Sequence, residues 1–247
     1  MSRDIFGGSE VNKVIKAILF DSGRVLNAPT TGHWFITPNF FQYVDKKAFS
    51  SIPKSQRNKA FSKAAEYISK QSLIETVEEE YKHFLEYYKI FLQHFPDLSL
   101  EDQQIEAITK DLVYNYDKYT FYQDAADTIS GLSVNYKLAV VSDAWPSLEN
   151  VFRNAGLRDY FSSFVISSVI GATKPNKLMY ETALKELCVS PEEAVFIDDN
   201  IKNCNGAKQL GIKTFLLCRD YKLFLYYKLM CKDHIVIRNL KSINSLI

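Results

Sequence analysis

No stretch of the chain stays apolar for the ~18 residues that a membrane-spanning helix needs. The opening segment MSRDIFGGSEVNK also lacks the apolar core of a secretory signal. No membrane partner is therefore expected, and a cytoplasmic location is. An excess of charge of one sign is lacking too: 30 Lys and Arg stand against 29 Asp and Glu, a net charge of +1. That balance gives no electrostatic reason for a nucleic acid or an anionic surface as partner. The four cysteines (Cys188, Cys204, Cys218, Cys231) contain no C-x-x-C pair, and His33, His83, His94 and His234 form no ligand-spaced cluster. A disulfide framework and a zinc site are both poorly supported. There is no internal repeat and no low-complexity linker. What is present is ordinary: 247 residues, 47% hydrophobic and 24% charged, which excludes rods, collagen and disorder and suffices for a substantial core.

Short apolar runs, rich in β-branched residues and without alternation, occur at 16–21 (KAILFD), 137–142 (KLAVVS), 164–168 (FVISS), 194–198 (AVFID) and 213–218 (KTFLLC), with a further candidate at 234–237. Such runs read as buried strands of a parallel sheet. Helical patterns at 124–133, 147–161, 177–188 and 201–210 separate the later ones. Repeating β-α units predict a three-layer, doubly wound parallel α/β sheet.

The intervening segment keeps helical spacing instead. Phe61, Ala64, Ala65 and Ile68 share one face. Val77, Tyr81, Phe84, Leu85, Tyr88, Phe91 and Leu92 form a second stripe, and Ile105, Ile108, Leu112, Tyr116 and Tyr119 a third. Ser72 with Glu75, and Ser99 with Asp102, fit a helix-capping pattern. An α-helical cap over 28–119 is thus expected to interrupt a core built from 1–27 and 120–247. The acidic run Glu78, Glu79, Glu80 reads as an exposed helix face. The stretch 221–230 (YKLFLYYKLM) reads as a last core helix, with a membrane surface or a second subunit as alternatives.

Ligands of open α/β sheets bind beyond the carboxyl ends of the strands. The first run ends in Asp21 (FDSGRVL), the next in Ser142 and Asp143 (VVSDAW). Lys174 follows in GATKPN, and Asp198 and Asp199 end the fourth in FIDDN, with Asn203 four positions after Asp199. A nucleophilic carboxylate, a hydroxyl, a cation and an acid pair would share one cleft.

These four motifs, in this order, resemble those of the haloacid dehalogenase superfamily, a HAD-like, Rossmannoid fold whose members are mostly Mg²⁺-dependent phosphatases. The helical insertion between the first two motifs matches that family's cap of the first type. The resemblance implies that Asp21 attacks phosphorus and forms an aspartyl-phosphate. Mg²⁺ would be held by Asp21, the Gly23 carbonyl and Asp199. Lys174 would pair with Asp21 and the phosphoryl group, and Ser142 with the backbone at Asp143 would donate to it. Asp198 and Asn203 would orient the metal and Lys174 from behind.

The first motif departs from the family, which usually carries a second Asp where this chain has Gly23. That Asp protonates the leaving oxygen, help typically worth about 10²–10⁴-fold. Three outcomes follow: a substrate with a good leaving group, such as an anomeric or acyl phosphate; a replacement acid, for which His33, beside Trp34, is the candidate; or a catalytically silent phosphate-ligand-binding protein. A carbon–halogen hydrolase using the same Asp21 is a further alternative. Arg24 either adds positive field at the phosphate or points into solvent. Tyr87, Tyr88, Tyr114, Tyr116 and Tyr119 either pack or stack on a substrate. The expected partner is a small phosphorylated substrate, with a sugar phosphate among the candidates; a homodimer stays open.

Overall fold

The computed structural model describes residues 14–71, 73–98 and 100–247. Six parallel strands form the central sheet: β1 (Ala17–Phe20), β4 (Lys137–Ser142), β5 (Phe161–Ile166), β6 (Ala194–Asp198), β7 (Lys213–Leu217) and β8 (Ile235–Ile237), in the order β5-β4-β1-β6-β7-β8. The order reverses direction at β1, so β4 and β6 flank it, and their carboxyl ends meet above it. Alternation of side chains splits β1 between two layers. Ile18 and Phe20 pack with Ile129 and Leu132 of α6 (Gln123–Ser133) and Leu148 and Phe152 of α7 (Ser147–Asn154). Ala17 and Leu19 pack with Tyr180 and Leu184 of α9 (Lys177–Leu187) and Ala207 of α10 (Ile201–Gln209). The three-layer doubly wound architecture is therefore the one predicted.

Between β1 and α6 the chain leaves through β2 (Asn27–Pro29) and returns through β3 (Tyr119–Phe121), an antiparallel ribbon that pairs Asn27 with Phe121 and Pro29 with Tyr119. Three residues on each side carry too little pattern to be read as strands. Beyond the ribbon lie α1 (Phe40–Tyr43), α2 (Lys46–Ser51), α3 (Lys54–Ile68), α4 (Val77–Gln93) and α5 (Asp102–Tyr114). Their apolar faces close a separate cluster around Phe40, Phe49, Phe84, Tyr87, Tyr88 and Phe91.

Several expectations are corrected. Ser72 and Ser99, and the first thirteen residues assigned to the core, lie outside the described residues. Helix α4 is capped by Thr76, whose Oγ1 accepts the Glu79 N–H (3.1 Å) while Glu79 Oε2 accepts the Thr76 N–H (3.2 Å). At α5, the Glu101 N–H donates to Gln104 Oε1 (2.9 Å). Tyr116 and Tyr119 fall beyond α5, in a 3₁₀ turn and in β3. Helix α7 stops at Asn154 rather than continuing to 161, because Gly156 takes a left-handed φ of 68°. Strand β5 consequently begins at Phe161, three residues before the predicted start.

Glu80 is not on an exposed face but 1% exposed. The 221–230 stretch is a helix, α11 (Tyr221–Met230), yet none of its residues is buried and Leu229 is 78% exposed. It contributes only the half-buried Phe224 and Tyr227, which pack on Leu216 and Val236, while Leu240 and Ile243 of the C-terminal 3₁₀ turn are buried in the cluster with Phe215, Leu217 and Ile237. No helix among the described residues is long and apolar enough to cross a membrane.

Candidate active site

The switch in strand order at β1 brings the predicted residues together. Lys174 Nζ donates to Asp21 Oδ1 (2.7 Å) and to Asp198 Oδ2 (2.8 Å), with its side chain 1% exposed. Ser142 Oγ, at the end of β4, donates to the same Asp21 oxygen (3.2 Å). Asn203, in the first turn of α10, donates from Nδ2 to Asp198 Oδ2 (3.0 Å), and the Asn200 N–H donates to Asp198 Oδ1 (2.7 Å). Asp198 thus accepts three hydrogen bonds and is completely buried, which fixes where it holds Lys174. Asp143 accepts the Lys174 backbone N–H through Oδ1 (2.9 Å), tying the loop after β4 to the lysine loop.

Asp21, Asp198 and Asp199 each bring a carboxylate oxygen within 4.8 Å of the others. Burial, with the charges of Asp198 and Asp199, pushes the Asp21 carboxyl up to about 7 although Lys174 opposes it. Asp199 is pushed up to about 6, by burial and by Asp198, against Arg24 and Lys174. Burial alone would depress the Lys174 ammonium, but Asp21, Asp198 and Asp143 hold it above its usual range. Three acids against one ammonium leave an excess of negative charge made only of oxygen donors. That set fits a hard divalent cation.

A cavity of about 310 Å³ opens over these groups. It is lined by the polar residues Asp21, Ser142, Lys174, Asp199 and Asn203, by Gly23, and by the aromatic side chains of Trp34, Phe35, Tyr119 and Trp145. The loop 22–27 that forms one side is tight: Asn27 Nδ2 donates to Ser22 Oγ (2.8 Å), and Arg24 sits at φ 61°. Arg24 lines the cavity and reaches to 3.9 Å of Asp199 Oδ2, with its side chain 67% exposed. Arg219 pins this loop from behind. It donates to the Val25 carbonyl (2.7 Å) and to Asp124 (2.9 Å), and stacks 3.7 Å over the Tyr122 ring. A second cavity, of about 860 Å³, adjoins the first through Phe35, Asp143, Ala144 and Trp145.

His33 is not part of either wall. Its ring packs 4.4 Å from Phe61, Nδ1 accepts the Phe35 N–H (3.2 Å), and burial lowers its pKa. It packs among the aromatics of the helical segment and lies away from both cavities, which does not place it as a replacement acid. Of the five tyrosines, Tyr119 lines the first cavity and Tyr87 the second. Phe35, Trp145, Asn200 and Arg219 also belong to the site or brace it, without being among the residues that the motifs single out. Asn200, next to the acid pair and capping α10 through Lys202 N–H (3.0 Å), had a legible signal; Arg219 had none.

The description of the haloacid dehalogenase-like hydrolase family matches residues 15–211. The glyceraldehyde 3-phosphate phosphatase of Methanopyrus kandleri is 32% identical over 115 residues, 44% of this chain and 49% of that protein. The (S)-2-haloacid dehalogenase of Xanthobacter autotrophicus is 30% identical over 115 residues, 46% of this chain and 45% of that protein. The chain thus spans about half the length of these curated relatives. A HAD phosphatase from Thermococcus onnurineus shares the fold at a TM-score of 0.63 and 22% identity, over 94% of this chain and 97% of that one. A match that runs from the start of β1 through α10, over carboxylates gathered at one switch in strand order, makes the chain a member of the haloacid dehalogenase-like hydrolases.

Proposed function

We propose that the chain is a Mg²⁺-dependent phosphatase of a small phosphorylated metabolite, with a sugar phosphate as candidate, working in the cytoplasm through Asp21. The observation that carries this reading is the Asp21 carboxylate: it ends the central strand, opens into the cavity, and lies 2.7 Å from a buried ammonium. The phosphatase name of the archaeal relative supports it.

Asp21 and Asp199, with the Gly23 carbonyl, would hold the ion. When bound, Mg²⁺ lowers the repulsion between an anionic nucleophile and an anionic phosphate. Lys174 holds one Asp21 oxygen in place and turns its remaining donor capacity toward the phosphoryl oxygens. Ser142 Oγ moves its hydrogen bond from Asp21 to the phosphoryl group, joined by backbone N–H groups at Asp143. Asp21 attacks phosphorus, the leaving oxygen departs on the opposite side, and water later cleaves the aspartyl-phosphate. Asp198 and Asn203 keep Lys174 aimed. The aromatic wall excludes bulk water and limits the substrate to a small molecule.

The test is hydrolysis of an aryl phosphate with Mg²⁺, with EDTA, and by Asp21→Asn. Turnover that needs Mg²⁺ and vanishes in the variant is the expected result. Halide release from a haloacid without metal would favour the dehalogenase reading. A thermal shift with phosphate ligands and no turnover would favour a silent binding protein.

A further inference from the structure

Gly23 does not adopt a positive φ; its neighbour Arg24 does. No backbone requirement therefore explains a glycine here. The cavity wall does. A Cβ built on Gly23 would stand 3.1 Å from Cη2 and 3.3 Å from Cζ2 of Trp34. The indole edge takes up the room into which a side chain at 23 would project, so a residue there would have to push the ring aside by a few tenths of an ångström. Trp34 cannot readily retreat: its ring abuts Tyr119 edge-on at 5.1 Å, and its loop is braced by Thr31 Oγ1 on the Ile36 carbonyl and by Thr30 Oγ1 against Thr120 Oγ1 (3.0 Å).

In an in-line displacement the leaving group departs on the side away from Asp21, within the cavity that Trp34, Phe35, Tyr119 and Trp145 also line. The carboxyls lining the cavity are Asp21, Asp143 and Asp199. Asp21 is the nucleophile, Asp199 belongs to the acid cluster, and Asp143 is bound to the Lys174 backbone. The Tyr119 phenol faces the cavity, but burial raises its pKa and makes it a poorer acid than free tyrosine.

We propose that Trp34, by occupying the space beside Gly23, keeps a proton donor out of this position, and that the Gly23–Trp34 pair thereby restricts the enzyme to phosphates whose leaving oxygen departs without one: acyl, enol, phenolic or hemiacetal oxygens rather than ordinary alkoxides. The inference rests on the phosphatase reading above. In the step, an Asp21 oxygen forms a bond to phosphorus while the bond from phosphorus to the leaving oxygen breaks. That oxygen keeps the electron pair and takes its proton from solvent. Water then attacks phosphorus, releasing inorganic phosphate and Asp21, and the water's proton returns to solvent.

The test is a series of aryl, acyl and alkyl phosphates of similar size, read as kcat/KM with Mg²⁺. The wild type should favour the acidic leaving groups by about 10²–10⁴-fold beyond a family member with a general acid at this position. Trp34→Ala should keep that steep order. Combined with Gly23→Asp, it should raise alkyl turnover selectively and add a basic limb to the pH–rate profile. A wild type that hydrolyses alkyl and aryl phosphates alike overturns the inference without any variant and leaves the phosphatase reading standing. Turnover of none of the series overturns both.

Discussion

Lys174 and Asp21, 153 positions apart in sequence, form an ion pair of 2.7 Å at the end of the central strand. The lysine side chain is 1% exposed and that of Asp21 11%, so solvent barely screens the pair. Lys174→Met would leave Asp21 and Asp198 facing each other unneutralised. Removing one member of a buried pair costs about 3–5 kcal/mol. A drop of that order in unfolding free energy at neutral pH is expected, together with loss of more than about 10²-fold in turnover. Chemical denaturation at pH 7 and at pH 5 checks it, the deficit shrinking at the lower pH as the carboxylates take up protons.

Gly206, inside α10, is a second position where absence of a side chain does structural work. A Cβ there would lie 2.6 Å from Pro175 Cβ and 2.9 Å from the Pro175 carbonyl oxygen. On an open helix, Gly→Ala would gain up to about 1 kcal/mol. Here the collision should reverse the sign, destabilising by about 1–3 kcal/mol. Pro175 follows Lys174 directly, so turnover should fall as well. A Gly206→Ala protein with a higher melting temperature and full activity would contradict this.

Glu80 joins the helical segment to the core. Its carboxylate accepts the Ser147 N–H (2.7 Å) and the Ser147 hydroxyl (2.6 Å) at the start of α7, and Lys118 Nζ donates to that same hydroxyl (2.7 Å). Burial raises the Glu80 carboxyl above the usual range although Lys118 and Ser147 oppose it. Glu80→Ala leaves the Ser147 N–H without its acceptor and removes a counter-charge from the buried Lys118 ammonium, and should cost about 3–5 kcal/mol in urea unfolding. Glu80→Gln keeps an acceptor and should cost less.

Lys118, 5% exposed, has its ammonium lowered to about 8 by burial, with Glu80 and Asp111 opposing. A cation whose folded pKa lies below its unfolded value of 10.5 binds protons more weakly when folded. Its cost to stability is full below pH 8 and disappears as the pH rises toward 10.5, a slope of up to about 1.4 kcal/mol per pH unit. Between pH 8 and 10 the wild type should therefore gain stability relative to Lys118→Met. A difference between the two proteins that does not change with pH over that window would rule this out.

Much of the architecture was legible because strands β1, β4, β6 and β7 are buried on both faces and leave unbroken apolar runs. Lys137–Ser142 and Ala194–Asp198 appear with the predicted bounds for that reason. The acids and the lysine were legible as the polar residues that follow such runs. What escaped was local pattern overridden by context. Glu80 sits in an acidic triplet, yet a facing hydroxyl and lysine draw it inside. Helix α11 reads as core, yet it lies over the edge of the sheet with only Phe224 and Tyr227 packed on Leu216 and Val236 and no residue buried.

Sequence by itself determined the kind of sheet, the helical insertion and the set of charged groups, since hydrophobic period and strand-end polarity are one-dimensional properties. Tertiary structure alone decided which groups touch: that Lys174 bridges two acids, that His33 packs on Phe61 and Phe35, and that Trp34 crowds the space beside Gly23. The reason is steric. Occupancy of a few cubic ångströms depends on residues brought together by the fold, and no spacing along a chain encodes which of them arrives there.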